Sequence, residues 1–436
     1  MPEPVYRMMT LLSTLTTALP MGTNLGLLHV LWMLVSGQLL TTRGAVIPAL
    51  SACGLPVRAV QRAWAALGQG AWSSATLLRP WERLVAAEGH WQASCQGGYH
   101  PLAVDVTGFW RPRLHGCPTT HYHAAAGKAL PAIPLGLVVR VGAVGAQRLA
   151  VPTTFVRAAP DDPRPRAQER LLVRAAVQQC GPHDALVLDA GFGVALLQEE
   201  GAARYVVRLA KNSTFRRASP PPYRGRGRPP TRGEVVRPVA RRYKGRLCAA
   251  TPPDQVVSWS DHGAVVRAEV WHDLVLPTAG AKATALTVVA VHDPRYRTPL
   301  LLATTLPVTP QELRALYDDR WAVEHLPLAA KQMIGAARQF VHAPEPCQRL
   351  PELALIAGAI LSYAAATTPA IPTGFWDRAP QPTAGRLRRV LARVPFPTDF
   401  PLAARMCVKK VRTDHLPTGF WGQRHHAGPT DDAFAA

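Results

Sequence analysis

Two short apolar runs in this chain each carry a single aspartate, and they constrain the fold more than any other feature. One is Leu102-Ala-Val-Asp105-Val; the other is Ala185-Leu-Val-Leu-Asp189, with Gly191 at its exit turn. Short apolar runs of this kind read as buried strands. A charge costs several kcal/mol to bury unless it is paired or coordinates a metal. Either aspartate alone reads as a strand-end turn or a helix cap. Taken with a third acid, Glu324, they read as metal ligands from three distant segments.

Glu324 lies in Tyr317-Asp-Asp-Arg320-Trp-Ala-Val-Glu324-His-Leu-Pro-Leu-Ala-Ala-Lys331. On an α-helix at about 100° per residue, Tyr317, Arg320, Glu324 and Lys331 fall near 0°, 300°, 340° and 320°. One narrow face then carries an acid, two cations and a phenol. The bland reading is a solvated face with an Arg320–Glu324 pair. The sharper one is work on a phosphodiester, with a carboxylate for a metal and donors for phosphate oxygens. Thr309, Pro310 and Glu312 form a capping-box start for this helix.

Tyr317, Arg320, Glu324 and Lys331 match without a gap the Tyr-x2-Arg-x3-Glu-x6-Lys signature of a class of DDE transposases from bacterial insertion sequences. Asp189-Ala-Gly-Phe192 resembles that class's second-aspartate motif. Tyr205-Val-Val-Arg208-Leu-Ala-Lys211-Asn212 and Leu300-Leu-Leu-Ala-Thr-Thr-Leu-Pro307 resemble the strands that follow it and precede the glutamate helix. The resemblance covers roughly residues 100–340. It implies an RNase H-like core with Asp105, Asp189 and Glu324 as catalytic residues holding two Mg2+ ions, with Mn2+ as a substitute. It implies cleavage at transposon ends and strand transfer into target DNA, with a homodimer on the DNA. A bacterial cytoplasmic, nucleoid-associated protein is expected. The alternatives are a catalytically inactive or domesticated DNA-binding derivative, and a related nuclease that cuts without joining.

Net charge is +21 and pI is near 10.5, which favours a polyanionic partner, most simply double-stranded DNA. An Arg-rich coding bias would give the same total. The charge is uneven, however: residues 211–246 hold twelve Lys or Arg against one acid, Glu234. The seven cysteines include no C-x-x-C pair, which argues against a disulfide framework or structural zinc. The apolar stretches Leu25–Leu40 and Leu353–Ala366 are short for membrane spans and read as buried helices.

Residues 1–97 read as helical, and the resemblance makes them the part that recognises DNA ends. Residues 98–211 read as the first part of an α/β core and 284–340 as its second part. Residues 212–283 interrupt it as a basic, β-rich insertion, with a hairpin turning at Asp261-His-Gly263. Residues 341–436 form a helical and basic tail, for subunit contact or non-specific DNA contact. Within the insertion, Arg226 and Arg228 lie in an Arg-Gly-Arg-Gly-Arg-Pro run. That run resembles an AT-hook for the minor groove, or is a basic loop touching phosphate.

The same resemblance assigns Arg320, Lys331 and Tyr317 to phosphates beside the scissile bond and lays Trp321 against the DNA end. Lys211 joins the DNA-binding set. Trp259 and Trp271 are candidates to stack an extruded base, or else core residues. One departure stands out. Pro327 follows Glu324 by three residues and predicts a kink that carries Lys331 off the active face.

Overall fold

Apolar side chains recur at helical spacing through the first ninety or so residues, and the chain there forms a set of packed helices. They are α1 (Glu3–Thr17), α2 (Thr23–Val35), α3 (Gln38–Thr41), α4 (Val46–Ala52), α5 (Val57–Gln69) and α6 (Ser74–Glu88). The Gly54-Leu-Pro56 break expected from sequence separates α4 from α5. α2 is apolar on nearly every side and is buried almost throughout. It crosses α5 closely at Gly26, where a Cβ would stand 2.7 Å from that of Ala66. The computed structural model describes residues 1–111, 113–114, 117–223, 225, 228–278 and 284–407.

A large mixed sheet follows. β1 (Gln92–Ala93) edges it, and β2 (His100–Trp110) lies near its centre. β3 (Thr120–His123), β4 (Lys128–Val144) and β5 (Gln147–Arg157) come next. β4 runs antiparallel to β2, and β5 to β4. The chain then crosses through α7 (Ala167–Gln179) to β6 (Asp184–Leu188), which pairs β2 in parallel. A second crossover, α8 (Val194–Glu199), leads to β7 (Tyr205–Arg208), parallel to β6. Parallel neighbours require such crossovers, whereas antiparallel ones need only turns.

The expected β-rich stretch contains β8 (Phe215–Arg217), β9 (Val235–Val236), β10 (Arg241–Tyr243), β11 (Arg246–Cys248), β12 (Gln255–Asp261) and β13 (Ala264–Val275). β14 (Leu286–His292) and β15 (Leu300–Thr304) then return the chain to β7. β15, β14 and β13 extend the sheet antiparallel beyond β7, and β12, β8 and β9 join it there, while β10 and β11 form a separate two-stranded sheet. The β12–β13 hairpin turns at His262-Gly263, where both residues have positive φ, 47° and 78°. That is the two-residue turn whose twist suits a hairpin.

Alternation along the strands divides the core. Leu102 and Val104 of β2, Leu186 and Leu188 of β6, and Tyr205 and Val207 of β7 pack against Leu172 of α7 and Leu197 of α8. The intervening residues face the other way. There Val187, Val206 and Leu302 meet Leu313 and Leu316 of α9 (Pro310–Asp319). Ala103 and Phe109 of β2 join a larger core with the N-terminal helices, α10 (Ala322–Leu328) and α11 (Pro344–Ala366). The N-terminal helices therefore do not close a core of their own. α12 (Ala384–Leu391) and α13 (Ala404–Cys407) complete the described chain.

α11 starts nine residues earlier than the apolar stretch read from sequence. Its 23 residues are long and apolar enough to cross a membrane, but 83% of its apolar window is buried inside the protein. That is the burial of a core helix.

Candidate active site

The parallel pairing of β2 with β6 aligns Val104 with Leu188. One residue further on, Asp105 and Asp189 stand side by side. Alternation turns Asp105 away from the α7–α8 side, toward α9 and α10. Asp189 follows the last residue of β6, and its Oδ1 accepts the Gly191 N–H at 2.9 Å. Arg166 braces the same loop, donating to the carbonyls of Gly191 and Phe192. Asp105 accepts the Val106 N–H at 2.8 Å.

The third carboxylate arrives from the helical side. Nη2 of Arg320 donates to Oε1 of Glu324 at 2.9 Å, and Nη1 stands 4.0 Å from Oδ2 of Asp105. The Arg320 side chain is 5% exposed and lies against the rings of Tyr317 and Trp321, at 5.5 and 5.6 Å. Burial pushes the Asp105 carboxyl up to about 6; Arg320 opposes this, while Asp189 and Glu324 add to it. Asp189 and Glu324 therefore both lie within electrostatic reach of Asp105.

The continuous helix expected from Tyr317 to Lys331 is not observed. α9 ends at Asp319, and Arg320, Trp321, Val323 and Glu324 donate to carbonyls three residues back. After Pro327, which lacks an N–H, the ladder widens into a π-helical turn over Ala329–Met333. Pro327 was expected to carry Lys331 off the face, and this too needs correction. Nζ of Lys331 donates to Oγ1 of Thr107 at 2.7 Å and lies 4.7 Å over the Trp110 ring. The irregular turns absorb the proline, and Lys331 returns to the same side of β2 as Asp105. Burial brings the Lys331 ammonium down to about 8, against the pull of Asp105.

Tyr317 is nearly buried, but it borders a cavity of about 250 Å3 with Arg208, Leu300, Arg314, Tyr296 and Trp321. Trp321 is 51% exposed and Tyr296 63%. Tyr296, Thr107 and Arg166 were missed from sequence. Thr107 was accessible to the same alternation that singled out Asp105, two residues on. Tyr296 sits in the turn between β14 and β15, where no periodicity marks it.

The remaining candidates are dispersed. Trp271 is fully buried, and its indole N–H donates to the carbonyls of Thr251 and Pro252. Its reading as a stacking platform is corrected to a core residue, since both ring and donor are already satisfied. Trp259 is half-buried on β12, opposite Val266. Lys211 and Arg228 are exposed, and Arg226 lies outside the described residues. Some of the charge in this stretch is structural: Arg217 forms a two-pronged pair with Asp254 at 2.6 Å. His121 lies over Gly108, where a Cβ would come within 2.5 Å of its ring.

Three carboxylates supply oxygen donors, which suit a hard divalent cation. Among the described residues no three His, Cys, Asp or Glu side chains stand close enough to hold one ion. Arg320 reaches from Glu324 toward Asp105, and it only partly offsets the rise in Asp105 proton affinity that burial causes first and the neighbouring acids add to. The donor chemistry suits such a cation, and Asp105, Asp189 and Glu324 are the side chains that would hold it. In comparison with known proteins, no family model and no curated protein matches this chain.

Proposed function

We propose that this chain is a DDE-type DNA transposase, cleaving the ends of an insertion sequence and joining them to target DNA. One observation carries the reading: Asp189 at the end of β6 and Glu324 of α10 both act electrostatically on Asp105 of β2, and Arg320 reaches from Glu324 toward Asp105. The fold supports it. Antiparallel β5, β4 and β2 continue into parallel β6 and β7, with α7 and α8 on one face, as an RNase H-like core requires. The β-rich stretch between Asp189 and Glu324 suits the insertion of the same class.

In this reading Asp105, Asp189 and Glu324 hold magnesium, or manganese in its place. A divalent metal bound by these carboxylates would supply Lewis-acid activation of the attacking oxygen and charge stabilisation for the leaving oxygen of an in-line displacement. Arg320 and Lys331 bind the phosphates flanking the scissile bond. Arg320 exchanges Glu324 for phosphate when DNA enters. Trp321 and Tyr296, the exposed rings at the cavity, replace Trp271 as platforms for an unstacked base. The basic stretch from Lys211 to Arg246 follows the duplex, and two ends held together call for a homodimer.

The test is cleavage and strand transfer on DNA carrying the inverted repeats that flank this gene, with magnesium, comparing wild type and Glu324→Gln. Nicked and joined products from wild type alone support the proposal. Binding without cleavage by either protein points instead to an inactive, DNA-binding derivative. Nicks without joined product point to a nuclease.

A further inference from the structure

α12 packs Leu387 and Leu391 inward against α11. Arg386 and Arg389 of this helix and Arg393 just beyond its end recur at spacings of three and four. With Pro372 and Thr373 of the preceding loop they line a cavity of about 300 Å3. Arg386 is already engaged: Nη1 stands 2.8 Å from Oδ2 of Asp377 and donates to the Ile371 carbonyl. That Asp377 oxygen also accepts the N–H and the hydroxyl of Thr373, both at 3.0 Å. Arg389 and Arg393 are exposed, and among the described residues neither has a carboxylate partner.

The turn fastened by Asp377 holds two aromatic rings in solvent. Phe375 is 95% exposed and Trp376 67%, with ring centroids 5.1 Å apart. Exposed rings next to Asp377, which pairs with Arg386 of the same arginine-lined cavity, match a partner that offers both π-faces and phosphates. A duplex hides its base faces within the stack, whereas an unpaired strand presents them. We propose that this surface binds an unpaired DNA strand, with phosphates at Arg389 and Arg393 and a base against Trp376 or Phe375. The inference rests on these residues and not on the carboxylate site.

The test is fluorescence anisotropy with labelled oligothymidylate and a labelled duplex of equal length, without divalent metal and in the Glu324→Gln background. Failure of the catalytic reading therefore leaves this result untouched. Trp376→Ala with Phe375→Ala is expected to weaken oligothymidylate binding by about tenfold and duplex binding far less. Arg389→Ala with Arg393→Ala is expected to lower the slope of log K against log salt by about 1.4, while the paired lysine variants keep it. Unchanged melting temperatures establish that all variants fold. Unaltered oligothymidylate binding in the alanine variants overturns the proposal. So does concentration-dependent dimerisation without DNA that the aromatic variant abolishes, which would assign the surface to a second copy of the chain.

Discussion

Nζ of Lys331 and Oγ1 of Thr107 are hydrogen-bonded at 2.7 Å, across 224 residues of chain. Thr107 lies two residues beyond Asp105 on β2, so this bond fixes the lysine on the carboxylate-bearing side of the strand. The helix reaches it through tight turns at Arg320–Glu324 and a wide turn at Ala329–Met333. A regular helix is therefore not required for the four signature residues to meet.

Pro327→Ala is accordingly expected to leave the cleavage rate unchanged. The restored N–H favours the helix by up to about 3 kcal/mol, offset in part by lost packing of a buried ring. Single-turnover cleavage checks this. A gain of about tenfold or more would mean that the proline holds Lys331 out of place.

Asp105 is expected to make stability depend on pH and, in the proposed reading, on magnesium. Its carboxyl is raised from an ordinary 3.8 to about 6, chiefly by burial. The folded protein therefore binds this proton more tightly than the unfolded chain. The associated stability is full below about pH 4 and is lost as pH rises through about 6. A divalent cation would replace the proton. Magnesium is expected to raise Tm at pH 7 and to raise it less at pH 5, where protons compete. Thermal unfolding with and without magnesium at the two pH values decides it; equal increments would count against a metal at Asp105.

Lys331 sets the opposite limb. Burial lowers its ammonium to about 8, so the unfolded chain holds this proton more tightly than the native one. Its contribution to stability rises between about pH 8 and 10.5. If the charged form grips phosphate, cleavage falls above about pH 8. Lys331→Arg is expected to extend the active range upward, because arginine stays charged. A pH–rate profile whose alkaline limb does not move with this substitution removes Lys331 from that role.

Much of this architecture was legible in the sequence, and the failures have physical causes. The strand bearing Asp105 and the one leading into Asp189 were readable because short continuous apolar runs bounded by turn residues leave few alternatives. The α9 start was readable because Thr309 and Glu312 cap it reciprocally, as observed. The π turn was not, since a 100° wheel presumes a regular ladder and says nothing of how a proline is absorbed. Trp271 was misread because alternation places a side chain on a face without telling whether that face is covered. Nor did composition reveal that the N-terminal helices share one core with α11, since that pairing is made only in the tertiary structure.

Arg320 is the cation that Asp105 and Glu324 share. Its removal leaves Asp105 and Glu324 without their shared cation and empties the space beside Tyr317 and Trp321. Arg320→Ala is expected to cost about 1–2 kcal/mol in chelator, less than a fully buried pair because Glu324 is 39% exposed. Magnesium should return part of that loss by serving the same carboxylates. Urea unfolding with chelator and with magnesium measures both. A variant as stable as wild type in chelator would show that the guanidinium is not holding the acids together.

The tryptophans separate core from surface. Trp271→Ala is expected to destabilise the protein by about 3–5 kcal/mol, since a fully buried indole is lost and two carbonyls lose their donor. Trp321→Ala removes a half-exposed ring and is expected to leave unfolding nearly unchanged while weakening binding to DNA ends. Measuring melting and end-binding on both variants tests the distinction. If Trp271→Ala melted like wild type yet lost DNA binding, the indole would belong to the interface after all, and β13 would have to present it on some other face of the sheet.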